Sequence, residues 1–214
     1  MVGRGYFIAV SGIEGAGKTS QVKPLGDYLT QKGHNVIIAR EPGGTEIGKK
    51  IRAVILDPEF TGRMDPLTEM LLYQADRAQQ YSQIVLPNLY SGKHVISDRC
   101  FVESIIYQGI ARGLSLGVIN HLNQITTRNT PIDLLYIIDG DPETLLKNAW
   151  KDLSEFGEKD RMEREALEFH QKLREGFLDF AQRNSFAVVI NHRQDDEEGM
   201  QEEIRYHLKE RLKI

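Results

Sequence analysis

Apolar residues recur along this chain in two rhythms. Short, largely apolar runs occupy residues 6–10, 35–39, 94–97, 132–138 and 186–190, each followed by polar or charged residues. Runs of that length with such boundaries read as buried β-strands. Between them the apolar positions fall three or four apart. Val22, Leu25 and Leu29 share one face of an expected helix over 19–32, with Gly33 as its stop and Pro24 near its start. Ile47, Ile51 and Ile55 mark a helix over 47–56, and Leu67, Met70, Leu71, Gln74 and Ala78 a long one over 65–90, bent at Pro87. Ile105, Ile106 and Tyr107 lie on a helix over 101–112, and Ser115 is expected to cap another that runs to about 128. Asp141 followed by Pro142 is a helix start, with Asp as N-cap and Pro at the first turn. Leu167, His170, Leu173, Phe177 and Phe180 line a helix over 166–183, and 200–212 closes the chain with an amphipathic helix. Strands separated by helices imply parallel pairing with right-handed crossovers. The expected fold is therefore α/β: a three-layer sandwich, with a five-stranded parallel sheet and helices on both faces.

Composition narrows the class. The 214 residues suit a single domain, and 40% hydrophobic with 27% charged residues is ordinary for a globular chain. The formal net charge of −4 argues against broad binding to nucleic acid or to anionic membranes. Cys100 is the only cysteine, so no intrachain disulfide forms, and a reducing compartment, the cytoplasm, is expected. No apolar run is long enough to span a bilayer, and no signal-peptide core precedes the first strand.

Chemistry concentrates after the first strand. Gly12 to Thr19 reads G-I-E-G-A-G-K-T between an apolar run and a helix, the setting of a phosphate-binding loop. Its glycines let successive amides turn into one concavity, and the helix N-terminus adds unpaired donors. Gly12, Glu14, Gly15, Ala16, Gly17, Lys18, Thr19 and Ser20 are the expected ATP-binding residues. Lys18 is expected on the β- and γ-phosphates, and the Thr19 hydroxyl on Mg²⁺. Three further places stand at strand ends or on a helix face. Arg40 to Thr45 breaks regular structure where open α/β sheets bind ligands. Tyr73 and Arg77, four apart, either form a flat platform with a guanidinium beside it or are a half-buried tyrosine and a surface arginine. Asp98 and Arg99 close the third strand, where a P-loop fold puts a carboxylate for the metal and an arginine can grip phosphate. The stretch 150–165 is charged and poor in core residues, and reads either as a flap over the site or as a solvated ion-paired segment. The six histidines have no metal-ligand spacing and read as surface or capping residues. Cys100 reads as packing.

Together these blocks resemble thymidylate kinase, of the nucleoside monophosphate kinases. The resemblance rests on G-I-E-G-A-G-K-T at Gly12, R-E-P-G-G-T at Arg40, Y-Q-A-D-R at Tyr73, S-D-R with Y-Q-G at Ser97 and Tyr107, and D-R-M-E at Asp160. It implies a P-loop kinase domain over 1–214 with a lid near 150–165, transferring the γ-phosphoryl of ATP in line to dTMP, with Mg²⁺. It implies that Glu14 approaches the 3′-hydroxyl and phosphate of the acceptor, that Tyr73 stacks on thymine and that Arg77 meets its O4. It also implies Arg99 on the acceptor phosphate with Arg40 or Glu41 nearby, Ser104 and Gln108 at the base, and Tyr107 against the sugar. Asp98 would join Thr19 at the metal, and Lys151 is the lid cation expected at the transferring group. A homodimer is the usual assembly of the family.

The sequence departs from the resemblance in places. Gly15 stands where some members carry a loop arginine, and the lid offers Lys147, Lys151, Lys159, Arg161 and Arg164 among as many acidic residues. Cys100 replaces an aromatic or histidine, and Glu103 a common serine, which bears on acceptor choice. A kinase for another deoxynucleoside monophosphate and a non-catalytic nucleotide-binding regulator are the competing readings. No guanine-selecting Asn-Lys-x-Asp pattern and no extended Asp-Glu strand end occur, which disfavours GTPases and motors.

Overall fold

A computed structural model describes residues 3–149 and 157–214. Five parallel strands form its sheet: β1 Phe7–Ser11, β2 Val36–Arg40, β3 His94–Asp98, β4 Leu134–Asp139 and β5 Ala187–Asn191. Their order across the sheet is β2-β3-β1-β4-β5. The helices are α1 Lys18–Gln31, α2 Glu46–Leu56, α3 Pro66–Gln80, α4 Leu86–Tyr90, α5 Val102–Ser104, α6 Leu116–Thr127, α7 Pro142–Ala149, α8 Leu167–Arg183 and α9 Glu197–Leu212. Helices α1 and α9 pack together on one face of the sheet, and α4 and α8 cover the other, which is the three-layer arrangement the patterning implies.

The core runs through both faces because the central strands are buried on both. Every residue of β1 is buried, and Ile8, Ile96, Leu135 and Ile137 form its middle. Such strands have no polar face, which is why they read as unbroken apolar runs. Burying a side chain of this size stabilises the fold by about 1.5–3 kcal/mol.

Several boundaries differ from the sequence expectation for one reason. The strands extend one residue further at their C-terminal ends, into polar positions. Val10 lies opposite Asp98, Arg40 opposite the same Asp98, and Asp139 opposite Asn191. Ladder hydrogen bonds are indifferent to side-chain polarity, so an apolar run marks the buried part of a strand and misses its edge. These polar ends all lie at the same rim of the sheet, where the cleft opens.

Two helices also differ. The long helix expected over 65–90 is α3 and α4 joined by a π-helical turn, Tyr81–Val85, so the change of register begins before Pro87. The wider turn puts Tyr81 and Val85 against the sheet, both fully buried. After α5 the chain continues as a π-helical stretch, Ile105–Ala111. Ser115 occupies the position before α6, but its side chain caps nothing there. Asp141 does cap as expected, accepting from the Thr144 amide at 2.9 Å.

Candidate active site

The loop after β1 is shaped by contacts a side chain would break. Gly12 has φ +139, and a Cβ there would lie 2.5 Å from the Ile138 carbonyl oxygen. Gly15 has φ +73, with the Leu145 carbonyl oxygen 1.8 Å from where a Cβ would stand. Gly17, at φ +81, is the left-handed residue from which α1 starts. The chain thus turns tightly under α7 and delivers the α1 N-terminus to the cleft. Lys18 folds back across the loop and donates to the Ile13 carbonyl at 2.5 Å. Burial, with Arg99 nearby, pushes its ammonium down to about 8 against the pull of Glu14 and Asp98. Ala16 is buried in the loop, and Ser20 donates back to the Gly17 carbonyl at 2.8 Å.

Thr19 and Asp98 meet at one side of this loop, the hydroxyl donating to Asp98 Oδ2 at 2.7 Å. A hydroxyl beside a carboxylate at the mouth of a phosphate nest is an all-oxygen donor set, which fits Mg²⁺ retaining several waters. The two expected metal residues are therefore adjacent.

On the β2 and β3 side stands a second cluster. Glu14 accepts from the Tyr107 hydroxyl at 2.8 Å and from Arg99 Nη2 at 3.0 Å. His170 Nδ1 lies 3.4 Å from its other oxygen. Burial alone would raise this carboxyl, but His170, Arg99 and Lys18 together hold it well below the usual range. Arg99 reaches the Gly12 carbonyl and the Tyr107 hydroxyl, with its guanidinium 5.8 Å over the Tyr107 ring. It comes from a backbone position with φ +74 at the end of β3.

The second loop, Arg40 to Thr45, is anchored rather than solvated. Arg40 is exposed at the cleft, but Glu41 is buried and accepts from Arg77 Nε at 2.8 Å. Burial pushes the Glu41 carboxyl up to about 7 although Arg77 pulls it down. Gly43 donates to Asp76 at 3.0 Å, so α3 holds the loop from below. The Glu41–Pro42 peptide bond is cis.

The cleft encloses ≈ 1240 Å³ and is lined by both clusters. A pocket for one drug-sized molecule holds roughly 300–1,000 Å³, so this cleft is larger than a single such ligand needs. Tyr73, Glu41, Arg99, Tyr107 and Gln108 face it on one side of the loop. Arg77 and Ser104 do not: both are 1% exposed and lie behind that wall, the guanidinium donating to Ser104 Oγ at 3.0 Å and to Asn123 at 3.1 Å. Of the two readings of Tyr73 and Arg77, the tyrosine does face the cleft, whereas the arginine is a buried wall residue and not a surface one. Gln108 is turned by Glu69, to which its amide donates at 2.8 Å.

The structure adds residues that sequence reading passed over. His170 is fully buried beside Glu14, which corrects its reading as a surface or capping residue. Its place on the apolar stripe with Leu173 and Phe177 was the available signal. Beyond β5, residues from His192 to Met200 line the far side of the cleft, and His192 Nδ1 lies 3.3 Å from the Ala16 carbonyl. Their position at a strand's C-terminal end marks them by the same rule that marked Arg40 and Asp98. Arg52 on α2 also faces the cleft and donates to the Pro42 carbonyl at 3.4 Å.

Lys151, with residues 150–156 of the expected lid, lies outside the described residues. Among the other lid cations, Lys147 is exposed and pairs with Glu143, and Arg164 pairs with Glu158. Arg161 is 2% exposed and pairs with Glu69 at 2.6 Å, so it belongs to the wall in this structure. Cys100 is buried, and burial pushes its thiol far up, which fits packing.

The thymidylate kinase family model matches residues 10–204. A thymidylate kinase of Desulforapulum autotrophicum is 44% identical over 92% of this chain and 86% of its own length. One from Carboxydothermus hydrogenoformans is 44% identical over 91% and 93% of the two chains. The chain belongs to the thymidylate kinase family. Among solved structures, thymidylate kinase from Ehrlichia chaffeensis superposes with a TM-score of 0.75 at 28% identity, covering 96% of this chain and 99% of that one. The same fold thus persists where most residues have changed, as a P-loop nucleotide kinase scaffold.

Proposed function

We propose the following division of labour in the cleft. The chain is an ATP-dependent dTMP kinase. The observation that carries our reading is one continuous cleft with the phosphate loop in its middle, flanked by two differently built walls. ATP places its phosphates in the amide nest from Gly12 to Thr19, with Lys18 on the β- and γ-phosphates and Ser20 at the loop's exit. Its base lies toward His192 and Met200, on the β5 side. dTMP occupies the β2–β3 side, its thymine against Tyr73 and Gln108 and its sugar beside Tyr107 and Glu14. Arg99 grips the acceptor phosphate, with Arg40 at the cleft edge.

Arg77 and Ser104 act at the base from behind. Arg77 donates through Nε to Glu41, twice through Nη1 and once through Nη2 to the Cys100 carbonyl. These bonds use four of the five guanidinium N–H groups, so Arg77 acts on the base by fixing Glu41 and the wall behind it rather than by contact.

Thr19 and Asp98 would hold Mg²⁺, which when bound neutralises charge on the transferring phosphates. The acceptor phosphate is already ionised, so in-line attack needs no general base. What the chain supplies is position and charge: Lys18 and Arg99 hold two anions in line, and the loop amides receive the oxygens that gain charge. Residues 150–165, with Lys151, serve as the lid that keeps water from the γ-phosphoryl.

We also read the chain as a cytoplasmic homodimer. Leu67 and Leu71 on α3 and Leu116, Val118 and Ile125 on α6 are large apolar residues left exposed, and α3 packs beside α6. Among the described residues no helix is long and apolar enough to cross a membrane. The test of substrate is ADP release with dTMP, dUMP, dGMP and dCMP in turn. dTMP should give the highest kcat/KM by at least about tenfold, the discrimination one pocket contact supplies. Equal rates with all four would overturn the acceptor assignment.

A further inference from the structure

The turn that aims Arg99 is held by its neighbours against its own preference. At φ +74 this arginine sits in left-handed backbone that residues with a Cβ seldom adopt. Two hydrogen bonds bracket it. The Arg99 amide donates to the Val10 carbonyl at 2.9 Å, a contact along β1 that any side chain would permit. The next amide, that of Cys100, donates to Glu103 Oε2 at 2.9 Å, and this bond depends wholly on the side chain at 103. A glutamate reaching back three residues to the amide at a helix start is half of a capping box.

Glu103 is an unexpected residue for this cleft. It is 7% exposed and lines the acceptor side, with the Ser11 hydroxyl as well as the Cys100 amide against its carboxyl. A carboxyl buried in a cavity that receives two anions carries a desolvation cost that only a specific role offsets. Burial accordingly pushes its carboxyl up, with Arg99 opposing.

We propose that Glu103 is a positioning residue for the acceptor phosphate: by holding the Cys100 amide it locks the left-handed turn from which Arg99 reaches Gly12, Tyr107 and Glu14. This rests on the assignment of Arg99 to that phosphate. The role needs an acceptor atom at the reach of Glu103 and no negative charge.

Two near-isosteric variants separate these requirements. Glu103→Met removes the acceptor and should raise the KM for dTMP about tenfold, the effect of one buried hydrogen bond, while the KM for ATP stays within about twofold. Glu103→Gln restores an acceptor and should return the dTMP KM to within about threefold of the parent. An unchanged dTMP KM in Glu103→Met, a parallel rise for both substrates, or a Glu103→Gln as impaired as Glu103→Met would each overturn the proposal. Should Glu103→Met not fold, Glu103→Ala is read in the same way. Arg99→Ala in the same series tells the two levels apart. If it leaves the dTMP KM unchanged, the Arg99 assignment falls and this proposal with it. If it raises the dTMP KM and Glu103→Met does not, only the role of Glu103 falls.

Discussion

Lys18 is 7% exposed, so loss of solvent by burial decides its charge first, and Arg99, Glu14 and Asp98 after it. With its ammonium lowered to about 8, the nucleotide-free enzyme begins to lose that proton as pH rises through 8. The triphosphate favours the protonated form, so binding takes the proton back up above that point. ATP affinity should therefore be flat from pH 6.5 to 7.5 and fall above about 8, by at most about tenfold per pH unit. Calorimetry with a non-hydrolysable ATP analogue measures this, and a flat profile to pH 9.5 would contradict the lowered lysine. Arg77 presents the opposite case, a charge fully inside the wall. Arg77→Ala leaves Glu41 buried without its cation, at a cost of about 3–5 kcal/mol. Thermal melting should show that loss, and in the folded fraction the KM for dTMP should rise much more than that for ATP. An unchanged dTMP KM would remove Arg77 from the base pocket.

At the scale of elements, the site is assembled from strand ends and helix starts whose geometry is fixed by close backbone approach. The loop glycines matter because α7 and β4 lie directly against them. Gly15→Ala would set a Cβ 1.8 Å from the Leu145 carbonyl, in left-handed backbone that itself costs about 1–2 kcal/mol. Either the loop or α7 must move. A lower melting temperature together with weaker ATP binding is expected, and native ATP affinity in this variant would show that the loop tolerates the shift. The second loop obeys a different rule. Arg40 to Thr45 reads alone only as a break in regular structure at a strand end, yet Asp76 and Arg77 on α3 bind its backbone and its glutamate. A turn becomes a wall only when another helix comes underneath it.

For the whole molecule, the strand order puts the phosphate loop at the centre of the sheet, and the proposed function sets one nucleotide over β2 and β3 and the other over β4 and β5. In the proposed dimer the exposed apolar residues of α3 and α6 are the assigned contact for the second copy. Sedimentation velocity should find a species of twice the 24.4 kDa chain mass, and Leu71→Glu should shift it to the monomer without lowering kcat per folded chain by more than about twofold. A parent protein that sediments as a monomer at micromolar concentration would refute the dimer.

Strand count, parallel pairing, the phosphate loop and Asp98 with Arg99 were legible in the chain, because each follows from local rules. Apolar runs of strand length bury on both faces, glycines permit the amide nest, and polar residues after a buried run fall at the sheet's rim. Three features came only with the tertiary structure. His170 looks like any face residue of α8 until packing brings it to Glu14, more than 150 residues earlier in the chain. Arg77 reads either as a guanidinium beside the tyrosine or as a surface arginine until Glu41, Ser104 and Asn123, from three other segments, surround it. The far wall from His192 to Met200 carries no motif and exists because β5 lies beside β4. Local sequence sets which backbone shapes are cheap, whereas the partners of a buried charge are chosen by which distant segments the sheet brings together.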